Sequence, residues 1–428
     1  MAKIIGKKYG AFFGFICMVS VIVSCGQGTT GVSNMRQHAA GTVAAREPLT
    51  IMDIDTENKG VREYFAQVGA ELGLDITLVE SPVNPDSRQA RISTLLASGD
   101  PSVDIFTIND EMISEFKDTG YIDSLDESII SQEDQLGFPQ EYFLKMIMSK
   151  GKIYSVPYAM DVLTPWINEK WLKEADIPDI STETHLKRFL SYQWGKGRYA
   201  YGGAWEKTYV YNEIGEFINL FGGNYYDWKN ARTLKAVKYM KKLVTDKSTS
   251  ENLMLDQYEQ MNQKFIDGKY GMLFMFSGGM NTYLSAGVYG ADKIHMAELP
   301  QTWNRATYVA TWQYALNSAS EHKDAARRFL KYAAGRESSR RYAEMTNTFP
   351  ARIDVINQED LDVTGYSEMK KYLQDTTLYA RPIPKDAMIY IEKFGTLFQK
   401  YVVGELKISD YAEQVQKLID SNFMQKNQ

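Results

Sequence analysis

Leu49-Thr-Ile-Met-Asp-Ile-Asp55 is a short apolar run that ends in acids, and Gly60–Leu72 after it carries apolar residues at helical spacing. Asp75-Ile-Thr-Leu-Val79 is strand-like again, Arg91–Ala97 returns to the helical pattern, and Val103-Asp-Ile-Phe-Thr-Ile108 closes the series. This alternation predicts strand–helix–strand–helix–strand, which argues for a parallel sheet with helices on its faces. The fold class read from this stretch is α/β. In open sheets of this kind, ligands bind outside the carboxyl ends of the strands. Residues just past the first and third strands are therefore site candidates: Asp53, Asp55 and Glu57, then Asn109, Asp110 and Glu111. Each is equally readable as a solvated loop acid or a helix N-cap.

Farther along, Leu234, Val237, Met240 and Val244 share one helical stripe, as do Tyr411, Val415, Leu418 and Ile419. Asp410 with Glu413 reads as a capping box for the last helix. A further helix over Asp324–Ala334 is expected to end at Gly335. A chain of 428 residues has material for two or three lobes, and 44% apolar with 24% charged residues excludes a largely disordered one. Lys and Arg number 48 against 54 Asp and Glu, so the formal charge is −6 and nothing suggests a nucleic-acid partner. Two cysteines, Cys17 and Cys25, and four histidines exclude a disulfide framework, a zinc finger and an iron–sulfur cluster. No G-x-S-x-G, H-E-x-x-H or P-loop motif occurs.

The N-terminus carries Lys3, Lys7 and Lys8, then the uncharged apolar stretch Gly10–Val23. A spanning helix needs roughly 20 apolar residues, so this shorter one reads as the core of a signal peptide. It ends Ile22-Val23-Ser24-Cys25-Gly26, which resembles a bacterial lipobox with Ile22 in place of the usual Leu. The alternative is an ordinary secretory signal with an incidental cysteine. On the lipobox reading residues 1–24 are removed, Cys25 is lipidated, and 45 basic residues remain against 54 acidic ones. Its acyl chains hold the protein on a membrane, each buried CH2 contributing about 0.8 kcal/mol. Residues 25–48, rich in Gly, Ala, Thr and Ser, read as a flexible tether.

Gly151-Lys-Ile-Tyr-Ser-Val-Pro-Tyr-Ala-Met-Asp-Val-Leu-Thr-Pro-Trp-Ile-Asn168 resembles the G-K-x-Y-x-x-P, acid, Y-N segment of family-1 extracellular solute-binding proteins, with Ile167 where that pattern has Tyr. Other landmarks follow in the family's order: Gly99-Asp-Pro-Ser-Val-Asp-Ile-Phe106, Phe221-Gly-Gly223, Phe265-Ile-Asp-Gly-Lys-Tyr-Gly-Met272, Ser318–Leu330 and Thr348-Phe-Pro-Ala351. The resemblance covers about residues 49–425. It implies a two-lobed periplasmic-binding-protein-like fold, each lobe a mostly parallel sheet flanked by helices, joined by hinge strands. The lobes would divide as 49–158 and 301–350 for lobe I, 159–300 and 351–428 for lobe II. It further implies an ABC importer subunit that binds a sugar or oligosaccharide between the lobes and meets permease subunits, with no catalysis and no cofactor. The tether and its single cysteine suggest a monomer.

Sugar sites use planar carboxylates and amides for adjacent hydroxyls, and aromatic faces for the C–H face of the ring. Carried over residue by residue, the resemblance points to Asp161, Asp110, Tyr211, Asn212, Trp205, Ser277, Tyr283, Trp312, Arg352 and Tyr390, beside Asp55, Glu57 and Asn109 from the strand ends. Gly278, Gly279 and Met280 stand where the family often has a stacking tryptophan, and Tyr283 is the expected substitute. Trp205, Trp312 and Tyr390 are also readable as core. Two alternatives keep the anchor: a surface glycoside hydrolase using Asp110 and Asp161 as paired carboxylates, or an adhesin.

Overall fold

The computed structural model describes residues 45–423, apart from 83, 302, 303 and 359. The expected signal peptide, Cys25 and the tether as far as residue 44 lie outside the described residues. β1 (Glu47–Asp53) runs parallel to β2 (Leu74–Glu80) on one side and β3 (Ile105–Ile108) on the other. It begins inside the stretch expected as tether. β3 reaches only Ile51 and Met52, so Pro48 has a strand neighbour on one side alone, where a residue without an N–H is tolerated.

α1 (Lys59–Leu72) and α2 (Pro85–Ser98) connect these strands. Asn58 and Asn84 cap their first turns, accepting from Gly60 N and Ser87 N. Gly73 ends α1 at φ 68°, the left-handed conformation that glycine adopts without strain. α1 buries Val61, Tyr64, Phe65 and Val68. The helices Lys323–Ala333 and Arg336–Thr346 pack with it, Phe65 stacking on Phe329 at 5.8 Å and Tyr64 Oη sharing a 2.7 Å hydrogen bond with Ser338 Oγ. The first of these helices ends at Gly335, as expected, but without a left-handed turn there. At φ −75° and ψ 157° it is extended and opens the second of these two helices, Ala334 having already capped the first.

After a short hairpin of β4 (Met148–Ser149) and β5 (Lys152–Ile153), the chain enters β6 (Val156–Asn168). Then follow β7 (Tyr199–Gly202), β8 (Tyr270–Phe276), β9 (Ile294–Met296), β10 (Ala306–Leu316) and β11 (Thr377–Ala380). The order along the main path is β2-β1-β3-β10-β6-β8-β7. β6 and β10, at 13 and 11 residues, serve both lobes. The later half of β10 pairs with β3, and its first residues pair with β11. The first half of β6 pairs with β10, and its second half with β8 and β9. β6 runs antiparallel to β8, β9 and β10, and β10 antiparallel to β3, while β1 is parallel to β2 and β3, β10 to β11 and β7 to β8, so the sheets are mixed and not mostly parallel as expected.

The helices Val210–Leu220, Ala231–Thr245, Ala387–Val402 and Ile408–Phe423 pack on one another. Val237 and Met240 are fully buried along the stripe read from sequence, and Tyr411, Val415 and Ile419 along the other. The last helix starts at Ile408, so Asp410 lies inside its first turn, and Glu413 pairs with Lys417 at 2.7 Å instead of closing a capping box.

Candidate functional site

A cleft of about 290 Å³ opens where the two long strands meet both lobes. Asp161 on β6 and Thr311 and Trp312 on β10 form its floor. Arg88 and Gln89 from α2, with Asn109, Glu111 and Met112 around the start of α3 (Asp110–Phe116), form one wall. The opposite wall has Tyr209, Tyr211 and Asn212 at the start of the helix Val210–Leu220, with Tyr258, Phe276 and Gly278.

Asp161 is placed by the loop that follows β8. Its Oδ1 accepts from Gly278 N at 2.6 Å and from Ser277 Oγ at 3.1 Å, while Oδ2 accepts no hydrogen bond from the described residues. A Cβ on residue 278 would stand 2.9 Å from that Oδ1, so the close approach needs glycine there. Burial raises the Asp161 carboxyl above its ordinary range, and the two hydrogen bonds work against that rise.

Arg381, just after β11, is the electrostatic centre. Its Nε and Nη2 donate to Asp110 Oδ2 at 3.1 and 3.0 Å. Nη1 and Nη2 also donate to Glu111 Oε1 and Oε2, at 2.7 and 3.0 Å. Nη1 further reaches Tyr211 Oη at 2.6 Å, and Tyr211 donates to Glu111 Oε1. Burial is the largest influence on Glu111 and would raise it, but the Arg381 charge together with the hydrogen bonds from Arg381 and Tyr211 holds the carboxyl below its usual range. For Asp110 burial prevails and the pKa rises despite Arg381. The cation is thereby compensated within the protein.

Aromatic faces complete the lining. Tyr209 and Tyr258 meet edge to face at 4.8 Å, and Asn212 Nδ2 donates to Tyr258 Oη at 2.9 Å. The Arg88 guanidinium lies 5.1 Å from the Trp312 ring centroid.

Of the residues singled out from sequence, Asn109, Glu111, Asp161, Tyr211, Asn212 and Trp312 line this cleft. Asn109 also caps α3, accepting from Met112 N at 3.2 Å. Asp55 follows β1 without lining the cleft; partial desolvation of its carboxyl, then the Asp161 charge, raises its pKa while Arg88 lowers it. The others have different duties. Asp110 is buried behind the cleft wall, also accepting from Tyr142 Oη and from Gln313 Nε2 at 3.1 Å. Glu57 projects into solvent with its side chain 95% exposed. Trp205 is core, its Nε1 donating to buried Glu213 at 2.8 Å. Tyr283 is core too, donating to Asn262 Oδ1 at 2.7 Å, so it does not substitute as a stacking platform. Ser277 is buried, donating to Asp161 and accepting from Val162 N at 3.1 Å. Arg352 is buried elsewhere, bridging Asp134 at 3.0 Å and Asp354 at 2.9 Å. Tyr390 pairs its hydroxyl with Tyr225 at 2.8 Å and stacks on Phe394. The full burial of these rings is the physical reason they do not face a ligand.

Sequence reasoning passed over Arg381, Arg88, Tyr209 and Tyr258. Arg381 is in no motif, and its carboxylate partners are about 270 positions away. Tyr209, by contrast, precedes Tyr211 by two residues and was within reach of the same argument.

The sequence profile of the family described as bacterial extracellular solute-binding protein matches residues 63–371. No curated protein sequence matches the chain significantly. Solved structures share its fold. A solute-binding protein of an ABC transporter from Thermotoga lettingae TMO, bound with alpha-D-tagatose, superposes with a TM-score of 0.73 at 18% identity, over 87% of this chain and 100% of that one. Maltose-bound MalE3 of T. maritima gives 0.72 at 15% identity, over 87% and 99%. The GacH receptor of Streptomyces glaucescens GLA.O, solved unliganded and with acarbose, gives 0.70 at 17% identity, over 89% and 100%. Members of the matched family bind solutes without transforming them, so this chain is a binding protein and not an enzyme. Profile, two-lobed fold and interlobe cleft agree: the chain belongs to the bacterial extracellular solute-binding proteins.

Proposed function

We propose that this chain is the lipid-anchored, sugar-binding subunit of an ABC importer. The single observation that carries the ligand class is Asp161, a carboxylate on the cleft floor with one oxygen held by the protein and the other accepting no hydrogen bond from the described residues. Such an oxygen accepts from a ligand hydroxyl, and the amides of Asn109 and Asn212 serve neighbouring ones. Trp312, Tyr209 and Tyr258 supply faces for ring C–H groups. Because Asp110 and Glu111 compensate Arg381, the cleft favours an uncharged polyol over an acid. A volume of about 290 Å³ is at the low end of the roughly 300–1,000 Å³ typical of small-molecule sites, which favours one or two sugar rings. Tagatose, maltose and acarbose in the solved relatives support the same class.

In this reading Cys25 carries the lipid and residues 25–48 are the tether, with strand β1 borrowing its last two positions. The lobes divide as 49–158 with 301–350 and 159–300 with 351–428, and the chain is a monomer that meets its permease when closed. A ligand closes the lobes only by binding the closed form more tightly than the open one. The test is a thermal-shift screen over mono- and disaccharides, polyols and sugar acids. A neutral sugar should raise the melting temperature by a few degrees, because it binds the native state alone, and should be recovered unaltered. A sugar acid as the only stabilising ligand, or release of a cleaved product, overturns the proposal.

A further inference from the structure

A groove of about 1080 Å³ lies beside β7, between residues 192–198 and 246–248, and shares no lining residue with the cleft. Five cations line it, Lys187, Lys196, Arg198, Lys242 and Lys247, against the single acid Asp246, in a chain whose formal charge is −6. Three of the five are answered. Glu183 holds Lys187 at 2.6 Å, Asp246 holds Lys242, and Glu174 takes Arg198 through two bonds of 2.9 and 2.7 Å. Lys196 and Lys247 are exposed and make no ion pair with the described residues. Helix ends do not account for them: the helices Glu183–Ser191 and Ala231–Thr245 both finish here, and Arg188 and Lys242 already stand in their last turns.

The loop that carries Lys196 is braced although it lies at the surface. Trp194 packs against Trp171 at 4.5 Å and Phe189 at 5.0 Å, and its Nε1 donates to Phe189 O at 3.2 Å. The Arg198 guanidinium lies 4.2 Å from the Trp171 ring centroid. Tyr192 rests on Trp194 at 4.5 Å, donates its hydroxyl to Glu174 O at 3.3 Å, and stays 39% exposed. A ring face and two ammonium groups are thus presented on a backbone that needs little ordering to receive a partner.

We infer that this groove is a second binding site, for an acidic glycan such as a chain of uronic acids. Carboxylates on the chain pair with Lys196 and Lys247, the C–H face of a ring lies on Tyr192, and the Gln193 amide serves ring hydroxyls. A bilayer fits the groove less well, because no exposed leucine, isoleucine or valine lines it to enter the acyl region. The inference does not depend on what the cleft binds.

The test is isothermal titration calorimetry of the full chain in detergent with tetragalacturonate. The parent is compared with Asp161→Asn, with Tyr192→Ala, and with the pair Lys196→Gln and Lys247→Gln together. Parent and Asp161→Asn should bind alike. The lysine pair should bind at least about tenfold more weakly, the loss of one charge-assisted contact, with unchanged circular dichroism, and added salt should narrow the difference. Tyr192→Ala should also weaken binding. No binding by the parent, or binding lost in Asp161→Asn and kept in the lysine pair, overturns the site. Tetraglutamate or phosphatidylglycerol vesicles bound as tightly, with the same dependence on the two lysines, would make the groove a peptide or membrane contact and overturn the glycan assignment.

Discussion

Replacing Asp161 isolates the one carboxylate oxygen offered to the ligand. Asp161→Ala removes that oxygen, but it also strips Gly278 N–H of a partner at 2.6 Å and Ser277 Oγ of one at 3.1 Å. Losing these two hydrogen bonds to a charged acceptor lowers stability in its own right, so the alanine variant mixes binding with loop stability. Asp161→Asn separates them. The amide oxygen takes the place of Oδ1 and keeps both loop bonds, while an NH2 group replaces Oδ2 and turns an acceptor into a donor. A hydrogen bond from a hydroxyl to a charged acceptor contributes about 1.5–3 kcal/mol. At about 1.4 kcal/mol per tenfold, the dissociation constant should rise between about 10- and 150-fold. The assay is isothermal titration calorimetry with whichever sugar gives the largest thermal shift, beside the melting temperature of each variant without ligand. Asp161→Asn should melt close to the parent and bind far more weakly, and Asp161→Ala should lose on both counts. An Asp161→Asn dissociation constant within twofold of the parent would remove Asp161 from the site and with it the main support for the ligand class.

Three further outcomes are expected. Burial pushes Glu213 up to about 7, so the folded state holds a proton that the unfolded chain releases near the ordinary value of 4.5. Stability should therefore fall as pH rises between those two values, by about 3 kcal/mol in total, and level off above; urea titrations of Glu213→Gln should show a flatter profile, and an identical slope would reject this source. Gly395 sits where a Cβ would come 1.9 Å from the Lys207 carbonyl oxygen, so Gly395→Ala should lower unfolding stability by about 1–3 kcal/mol, although alanine in an open helix would raise it by about 1 kcal/mol; a gain in the denaturant midpoint refutes the contact. Cys25→Ser should shift the protein from the membrane to the soluble fraction on fractionation, and continued dependence on detergent rejects lipidation.

The parallel strands and the helices between them were legible because period and capping are local: Asn58, Asn84 and Gly73 mark their boundaries within a few residues. The cleft floor was legible for a related reason, since Asp161 sits on the long strand inside the landmark Gly151–Asn168 and Trp312 on the one that leads into the landmark Ser318–Leu330. What local pattern does not settle is which neighbour faces the ligand. Asp110 and Glu111 are adjacent at the start of a helix, and a rotation of about 100° between them turns one into the core and the other to the cleft. Trp205 and Tyr209 are four residues apart, but Trp205 is claimed by buried Glu213 while Tyr209 is left at the opening. Arg381 was invisible because its role arises only when three distant segments converge on it. The shift of the last helix start to Ile408 belongs with these, since a Ser or Asp near a boundary matches more than one starting position.

The two long strands carry a mechanical consequence. β6 and β10 are hydrogen-bonded to each other from Val156 to Val162, so the halves are joined by a ribbon and not by loose tethers. Any relative motion must flex that ribbon as a leaf spring flexes, along one soft direction. The register slips between Trp312 and Gln313, and an irregularity of this kind is where a strand bends. Trp312 is thus mounted at the spring's weak point, so flexing tilts the indole as the gap narrows, and the emission of that indole becomes an internal gauge of how far the halves have swung.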